Sequence, residues 1–274
     1  LEAWKQDERH KPLILRGARQ VGKTTVVNEF GSQFDNYLYF NLEMSESVRL
    51  FEMDIPLNDL VNMLFASLGK PQKEGSTLIF IDEIQNSPKT IALLRYFYEQ
   101  RPDLYVIAAG SLLENLVDVN VSFPVGRVMY LALRPCSFYE FLGAIGKNNL
   151  LTILSQKAEY SIAFHEQLMH QFNQYTIIGG MPEAVQHYAE TQDIIAIEDV
   201  YETLVQAYKD DSEKYTRSNK LTDVVRFILS YGWAFSGETI TLGNFANSGY
   251  KSREVGEAFR LLEKAMILEL VYPV

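Results

Sequence analysis

The sequence predicts an α/β fold, a parallel sheet covered by helices, and three observations carry the prediction. Gly17-Ala18-Arg19-Gln20-Val21-Gly22-Lys23-Thr24 has the G-x-x-x-x-G-K-[ST] spacing of a phosphate-binding loop. Apolar Leu13-Ile14-Leu15 precedes it, and a helix-like run from Thr24 to Phe30 follows, the strand–loop–helix context such a loop needs. Thr77-Leu78-Ile79-Phe80-Ile81-Asp82-Glu83 is a continuous apolar run ending in two carboxylates, the pattern of a central strand covered on both faces. Finally, residues 1–146 alternate strand-like and helix-like patterns, the mark of a parallel sheet. Together these predict a P-loop NTPase sheet of five core strands over 1–146. A helical segment over 147–212 and a winged helix-turn-helix over 213–274 follow it.

The first strand, at Leu13–Leu15, feeds the loop. Its glycines let backbone N–H groups curl around phosphate oxygens with no Cβ in the way, and the helix behind aims its positive end at the same anion. Gly17, Ala18, Arg19, Gln20, Val21, Gly22, Lys23, Thr24 and Thr25 are the predicted nucleotide-binding residues. Lys23 suits the β- and γ-phosphates, and the Thr24 hydroxyl suits Mg²⁺. The second strand is Tyr37–Leu42, and residues 57–68 recur apolar at helical spacing. The third strand ends in Asp82 and Glu83. In parallel sheets ligands sit at the carboxyl ends of strands, which places both acids beside the phosphates. Asp82 is predicted to hold Mg²⁺ and Glu83 to polarise the attacking water as a general base. Ser87-Pro88 opens a helix running to about Arg101, with proline where its missing N–H costs nothing. The fourth strand covers Leu104–Ala109 and the fifth Val128–Leu133.

Residues 147–212 read as helical with short breaks. At Gly179-Gly180-Met181-Pro182-Glu183-Ala184 two glycines free the backbone and Pro182 starts a helix; the motif reads as a helix start or as a contact to nucleotide or partner. The last segment reads as helix (Leu221–Leu229), short helix (about Thr239–Ala246), turn at Gly249, helix (about Ser252–Ala265) and strand. Val255, Phe259, Leu262 and Ala265 share one face of the last helix. Arg253, Glu257, Arg260 and Lys264 share the other, which makes Arg253 and Arg260 candidates for DNA contact and the same face a candidate protein-contact surface.

Composition bounds these readings. The chain has 274 residues, room for two or three domains, with 47% hydrophobic and 22% charged residues. One cysteine, Cys136, excludes an internal disulfide and fits a cytoplasmic protein. No apolar run approaches the length of a membrane span, and no signal-peptide pattern opens the chain. It starts at Leu1 rather than at methionine and stops inside a strand-like run, which reads as a piece of a longer protein. The net charge is −10, with ten acidic and three basic side chains in 147–212, against eight basic and seven acidic in 213–274. A broad nucleic-acid surface needs the opposite sign, so any such contact falls to the last segment or to parts beyond it.

Several stretches resemble predicted AAA+-superfamily ATPases of bacteria and archaea: LRGARQVGKT at 15–24, FIDEIQ at 80–85, AAGSLL at 108–113, SFPVGRV at 122–128, RPCSFYEFL at 134–142 and IGGMPEAV at 178–185. The resemblance covers nearly the whole chain. It implies ATP rather than GTP, and a C-terminal domain related to restriction-endonuclease-like folds beyond Val274. It places Ser111 at a γ-phosphate-sensing position, where helix capping is an equal reading. It places Arg127 beside a glycine before the fifth strand, as an arginine finger acting in cis or across a subunit interface, or as a plain surface arginine. One departure stands out: no arginine occurs between Arg134 and Arg217, where AAA+ lids carry a sensing arginine. That favours a nucleotide-operated switch over a fast ring motor.

The function expected is therefore Mg²⁺-dependent hydrolysis of ATP to ADP and phosphate, operating a conformational switch. The alternatives are an ATP-gated DNA-binding protein acting through the winged helix, and a non-hydrolysing nucleotide-binding scaffold. The intact Asp82-Glu83 pair speaks against the last. A protein partner fits the switch reading. The sequence leaves the oligomeric state open.

Overall fold

A computed structural model describes residues 1–110, 126–155, 162–216 and 218–272. They group into two compact units, one of residues 1–18 with 22–133 and one of 19–21 with 134–274.

The described residues of the first unit form one five-stranded sheet. Its strands are β1 (Leu13–Arg16), β2 (Asn36–Asn41), β3 (Thr77–Asp82), β4 (Leu104–Gly110) and β5 (Met129–Ala132). Their order is β2-β3-β4-β1-β5, and every pairing is parallel. The helices are α1 (Glu2–Lys5), α2 (Lys23–Gly31), α3 (Ser45–Phe51), α4 (Leu57–Ser67) and α5 (Pro88–Gln100). All five strands lie where the sequence patterns predict them, to within a residue or so at each end.

The reason is visible in the core. Side chains alternate across a strand, so a run that is apolar throughout must be covered on both faces. On β3, Leu78 and Phe80 pack with Leu13, Leu15, Ile107, Trp4, Val27 and Phe30. Ile79 and Ile81 turn the other way, onto Ile14, Val106, Leu60, Leu64, Ile91 and Leu94. Each large apolar side chain buried in this way contributes about 1.5–3 kcal/mol. β5 closes one side of the sheet, paired among the described residues to β1 alone in the register Leu13 to Met129, and its four residues are exposed.

Register sets the position of the site. Arg16 lies opposite Gly110, Ile81 opposite Ala108, and Asn41 opposite Asp82. The carboxyl ends of β2, β3, β4 and β1 therefore end along one edge. Beyond β3, Ser87 caps α5 by accepting from the Thr90 backbone N–H at 3.3 Å, with Pro88 at the first helical position.

The second unit is helical. Its helices are α6 (Phe138–Ala144), α7 (Asn148–Ser155), α8 (His165–Ile178), α9 (Pro182–Thr191), α10 (Glu198–Tyr215), α11 (Asn219–Tyr231) and α12 (Ser252–Lys264). Phe141, Ile178, Val185, Tyr188 and Ile197 form one small core. Leu204, Tyr208, Val225, Ile228, Phe245, Val255, Phe259 and Leu262 lie in another. Val255, Phe259, Leu262 and Ala265 are all buried, as their spacing predicts, and Arg253, Glu257, Arg260 and Lys264 are exposed.

The winged helix-turn-helix reading needs correction in two elements. Thr239–Ala246 forms no α-helix: only a 3-10 turn at Phe245–Asn247 appears, with Asn244, Ala246 and Asn247 all at positive φ. Gly243 and Asn244 break the helical pattern, and Asn244 Oδ1 accepts from the Gly249 N–H at 2.8 Å, which closes the segment as a loop. Leu268–Tyr272 forms no strand among the described residues. A strand needs a partner, and the described part of this unit holds none; the Leu270 N–H donates instead to Glu263 Oε1 at 3.0 Å.

The double glycine has a packing cause. A Cβ on Gly180 would stand 2.3 Å from the Cys136 carbonyl oxygen, a backbone atom, while the Cys136 N–H donates to the Gly180 carbonyl at 2.7 Å. Gly179 has φ 75, and Pro182 starts α9 at its first position. Gly180→Ala is expected to cost about 1–3 kcal/mol by overpacking. A melting curve would show this as a drop of about 2–4 °C per kcal/mol. An unchanged melting temperature would mean that the strand of chain at Cys136 yields freely.

Candidate functional site

The loop after β1 delivers the chain to α2 through residues that only a turn of this kind tolerates. Gln20 has φ 62, and Gly22, the residue capping α2, has φ 92 and ψ 15. Among the described residues no side chain caps this helix end. Its first N–H groups thus keep no intrahelical acceptor, and the positive end of the helix dipole lies with them. Ala18 and Val21 are buried and anchor the loop, while Gln20 and Thr25 are exposed. Arg19 belongs to the second unit, where it pairs with Asp211 of α10 and its carbonyl accepts from Tyr208 Oη at 3.2 Å.

Lys23 is 7% exposed, and its ammonium donates to the carbonyl oxygens of Gly17 and Ala18, at 2.9 Å each. The cation is thus folded over its own loop. Thr24 Oγ1 donates to Asp82 Oδ2 at 2.7 Å, and Tyr39 Oη reaches the same oxygen at 3.5 Å. A hydroxyl and a carboxylate brought together at a helix start are hard oxygen donors of the kind Mg²⁺ takes, with the remaining positions left to water and phosphate. Among the described residues no group of three or more His, Cys, Asp or Glu side chains is placed to hold a metal. The residues present fit a nucleoside triphosphate with one Mg²⁺, which Thr24 and Asp82 would hold.

Glu83 follows at once, in a left-handed conformation with φ 54 and ψ 44. Burial pushes its carboxyl above the usual carboxylate range; the Gln85 hydrogen bond pulls it back, Asp82 pushes it up, Lys23 pulls down and Glu43 pushes up. Gln85 Nε2 donates to Glu83 Oε2. The other end of that amide, Oε1, is buried with no hydrogen-bond partner among the described residues.

The structure brings Gly17, Gly22, Lys23, Thr24, Asp82 and Glu83 to one edge. It does not bring Arg127 there. Arg127 precedes β5 by two residues, level with Lys11 in the register, so the length of β1 separates it from the loop, about 20 Å at about 3.3 Å per residue. Its guanidinium pairs with Glu99 near the end of α5. A finger role in cis does not suit this placement. Ser111 lies outside the described residues, as does Arg217. Two residues near the acids went unassigned in the sequence reading, Tyr39 and Gln85. Tyr39 is signalled by its place near the carboxyl end of a strand beside β3; Gln85 is signalled only by polarity in a turn between buried Ile84 and Ser87.

The family model described as an AAA domain matches residues 9–142. A solved structure of the Walker-type ATPase PABY2304 of Pyrococcus abyssi superposes with a TM-score of 0.51 at 15% identity, covering 96% of this chain and 87% of that one. The fold is that of a P-loop ATPase. PCH-2 of C. elegans is also similar (TM-score 0.38, 12% identity, 70% of this chain and 60% of that one). So is a structure of Drosophila ORC bound to DNA (TM-score 0.37, 14% identity, 100% of this chain and 68% of that one). Among curated proteins none matches this sequence. Residues 169–274 of this P-loop chain match a domain of unknown function (DUF8612). No helix among the described residues is long and apolar enough to cross a membrane.

Proposed function

We propose that this chain binds ATP with Mg²⁺ and hydrolyses it to ADP and phosphate, in a cycle that switches the protein between conformational states. The observation that carries the reading is the 2.7 Å contact between the Thr24 hydroxyl and the Asp82 carboxylate, beside Lys23 and at an uncapped helix start. In this reading residues 17–25 wrap the phosphates and Lys23 leaves its loop carbonyls to meet the β- and γ-oxygens. Mg²⁺ held by Thr24 and Asp82 would supply charge neutralisation on the phosphate oxygens. Glu83 takes a proton from the water that forms the new bond to phosphorus as the bond to the diphosphate breaks. Its raised pKa suits a base. Ser111 would sense the γ-phosphate from beyond β4, and Arg127 would act only on a neighbouring subunit's nucleotide. The division into an ATPase core (1–146), a helical lid or linker (147–212) and a C-terminal module (213–274) belongs to this proposal.

A second reading, ATP-gated DNA binding, draws support from Arg253 and Arg260, both exposed on the outer face of α12, with Glu257 between them weighing against it. One experiment serves both. ATP turnover by the purified protein is measured with Mg²⁺, with a chelator in its place, and with duplex DNA added. Turnover that stops with the chelator is expected. DNA-stimulated turnover would favour the second reading, and no turnover under any condition would remove the hydrolase.

A further inference from the structure

We propose that Gln85 is the positioning residue for Glu83, setting which carboxylate oxygen takes the proton of the attacking water; this rests on the ATPase reading above. Four observations converge on it. Glu83 leaves β3 in the left-handed region (φ 54), so its side chain departs from the direction a strand would give it. The next residues form a tight 3-10 turn, with the Asn86 N–H on the Glu83 carbonyl at 3.0 Å and the Ser87 N–H on the Ile84 carbonyl at 3.1 Å. Ile84 and Ser87 are both 0% exposed and pin this turn from either side of Gln85. The Gln85 amide therefore works from a fixed frame, and its Nε2–H donates to Glu83 Oε2.

The fourth observation is the unpaired end of the same amide. Gln85 Oε1 is buried without a partner among the described residues. Reversing the amide would give that site a different atom but would set the carbonyl oxygen against the Glu83 carboxylate, oxygen to oxygen. The orientation that leaves Oε1 unsatisfied is thus the one that gives Glu83 a donor. Packing alone does not call for an amide here, because an unbranched apolar side chain fills similar space and leaves no acceptor orphaned. Holding Oε2 leaves Glu83 Oε1 to receive the proton. In the step, the water oxygen bonds to the γ-phosphorus, its proton passes to Oε1, and the bond from phosphorus to the leaving diphosphate oxygen breaks with its electron pair.

Gln85→Met and Gln85→Ala test this in the full chain. ATP turnover, KM, the Kd of a fluorescent nucleotide and the melting temperature are measured for each, alone and combined with Glu83→Gln. Misplacing a reacting group by about 1 Å costs on the order of 100-fold. A fall in kcat on the order of 10- to 100-fold is therefore expected, with KM, Kd and melting temperature nearly unchanged. In the Glu83→Gln background the added Gln85 change is expected to lower turnover no further, because the two act as one unit. Undiminished kcat in a folded Gln85 variant would overturn the proposal. So would a full further loss on top of Glu83→Gln, which marks a structural role. Should the methionine variant not fold, the alanine variant is read in the same way. A wild-type protein without Glu83-dependent turnover would overturn the hydrolytic reading itself and Gln85's role with it, an outcome distinct from active enzyme indifferent to Gln85.

Discussion

Lys23→Ala is expected to strip most nucleotide binding from a protein that stays folded. In the proposed function Lys23 meets the β- and γ-phosphates, and hydrogen bonds to charged groups are worth about 1.5–3 kcal/mol. Affinity should therefore fall by about 10- to 150-fold. In the absence of nucleotide the side chain donates to the Gly17 and Ala18 carbonyls of its own loop, at 2.9 Å each. Removing a buried cation also relieves a desolvation cost, so the melting temperature without ligand should move little. Thermal shift reads both. At a nucleotide concentration of about 100 Kd the wild type gains about 2.7 kcal/mol, and the variant at the same concentration should gain half of that or less. An undiminished shift in the variant would mean that nucleotide binds elsewhere, and the loop would lose its assignment.

Glu83→Gln is expected to separate binding from chemistry. The substitution keeps size and shape and takes away the proton acceptor, so turnover should fall by about 10²- to 10⁴-fold, while nucleotide affinity holds or rises as one negative charge leaves the neighbourhood of Asp82. Stability gives an independent check of sign. Burial raises the Glu83 pKa in the folded state, so the ionised carboxylate subtracts from stability above its folded pKa and costs nothing below the unfolded value of about 4.3. The glutamine variant should melt no lower than wild type at neutral pH, and any advantage should vanish as pH falls below the ordinary carboxylate range. Equal loss of binding in Glu83→Gln and Lys23→Ala would remove the general-base role. Undiminished turnover in Glu83→Gln would do the same.

Particular residues show how much of this was legible beforehand. The Gly17–Thr24 spacing and the apolar run into Asp82-Glu83 depend on local pattern, and local pattern is what a sequence displays directly. The helix at Ser87-Pro88 and the helix at Met181-Pro182 were equally visible, because proline's missing N–H dictates where it can stand. Thr239–Ala246 was misread because its apolar spacing suits a helix while Asn244 and Asn247 favour left-handed turns, and the turns prevailed. The strand expected near the end failed for another reason. Strand propensity means little without a partner, and partners are supplied by the rest of the chain.

What the sequence by itself determined, then, is the place of the five strands, with the Gly17–Thr24 spacing after the first and the two acids at the end of the third. Each is a short-range pattern tied to backbone geometry or to alternation of side chains. The tertiary structure alone decided the order β2-β3-β4-β1-β5, which aligns Thr24 with Asp82 across 58 positions of chain. It also decided that Arg127 lies at the far end of β1, that Gly180 must be bare beneath Cys136, and that Gln85 grips Glu83. Those facts depend on which distant backbone approaches which. Packing and strand pairing settle that over the whole chain at once, and no local run of residues records it.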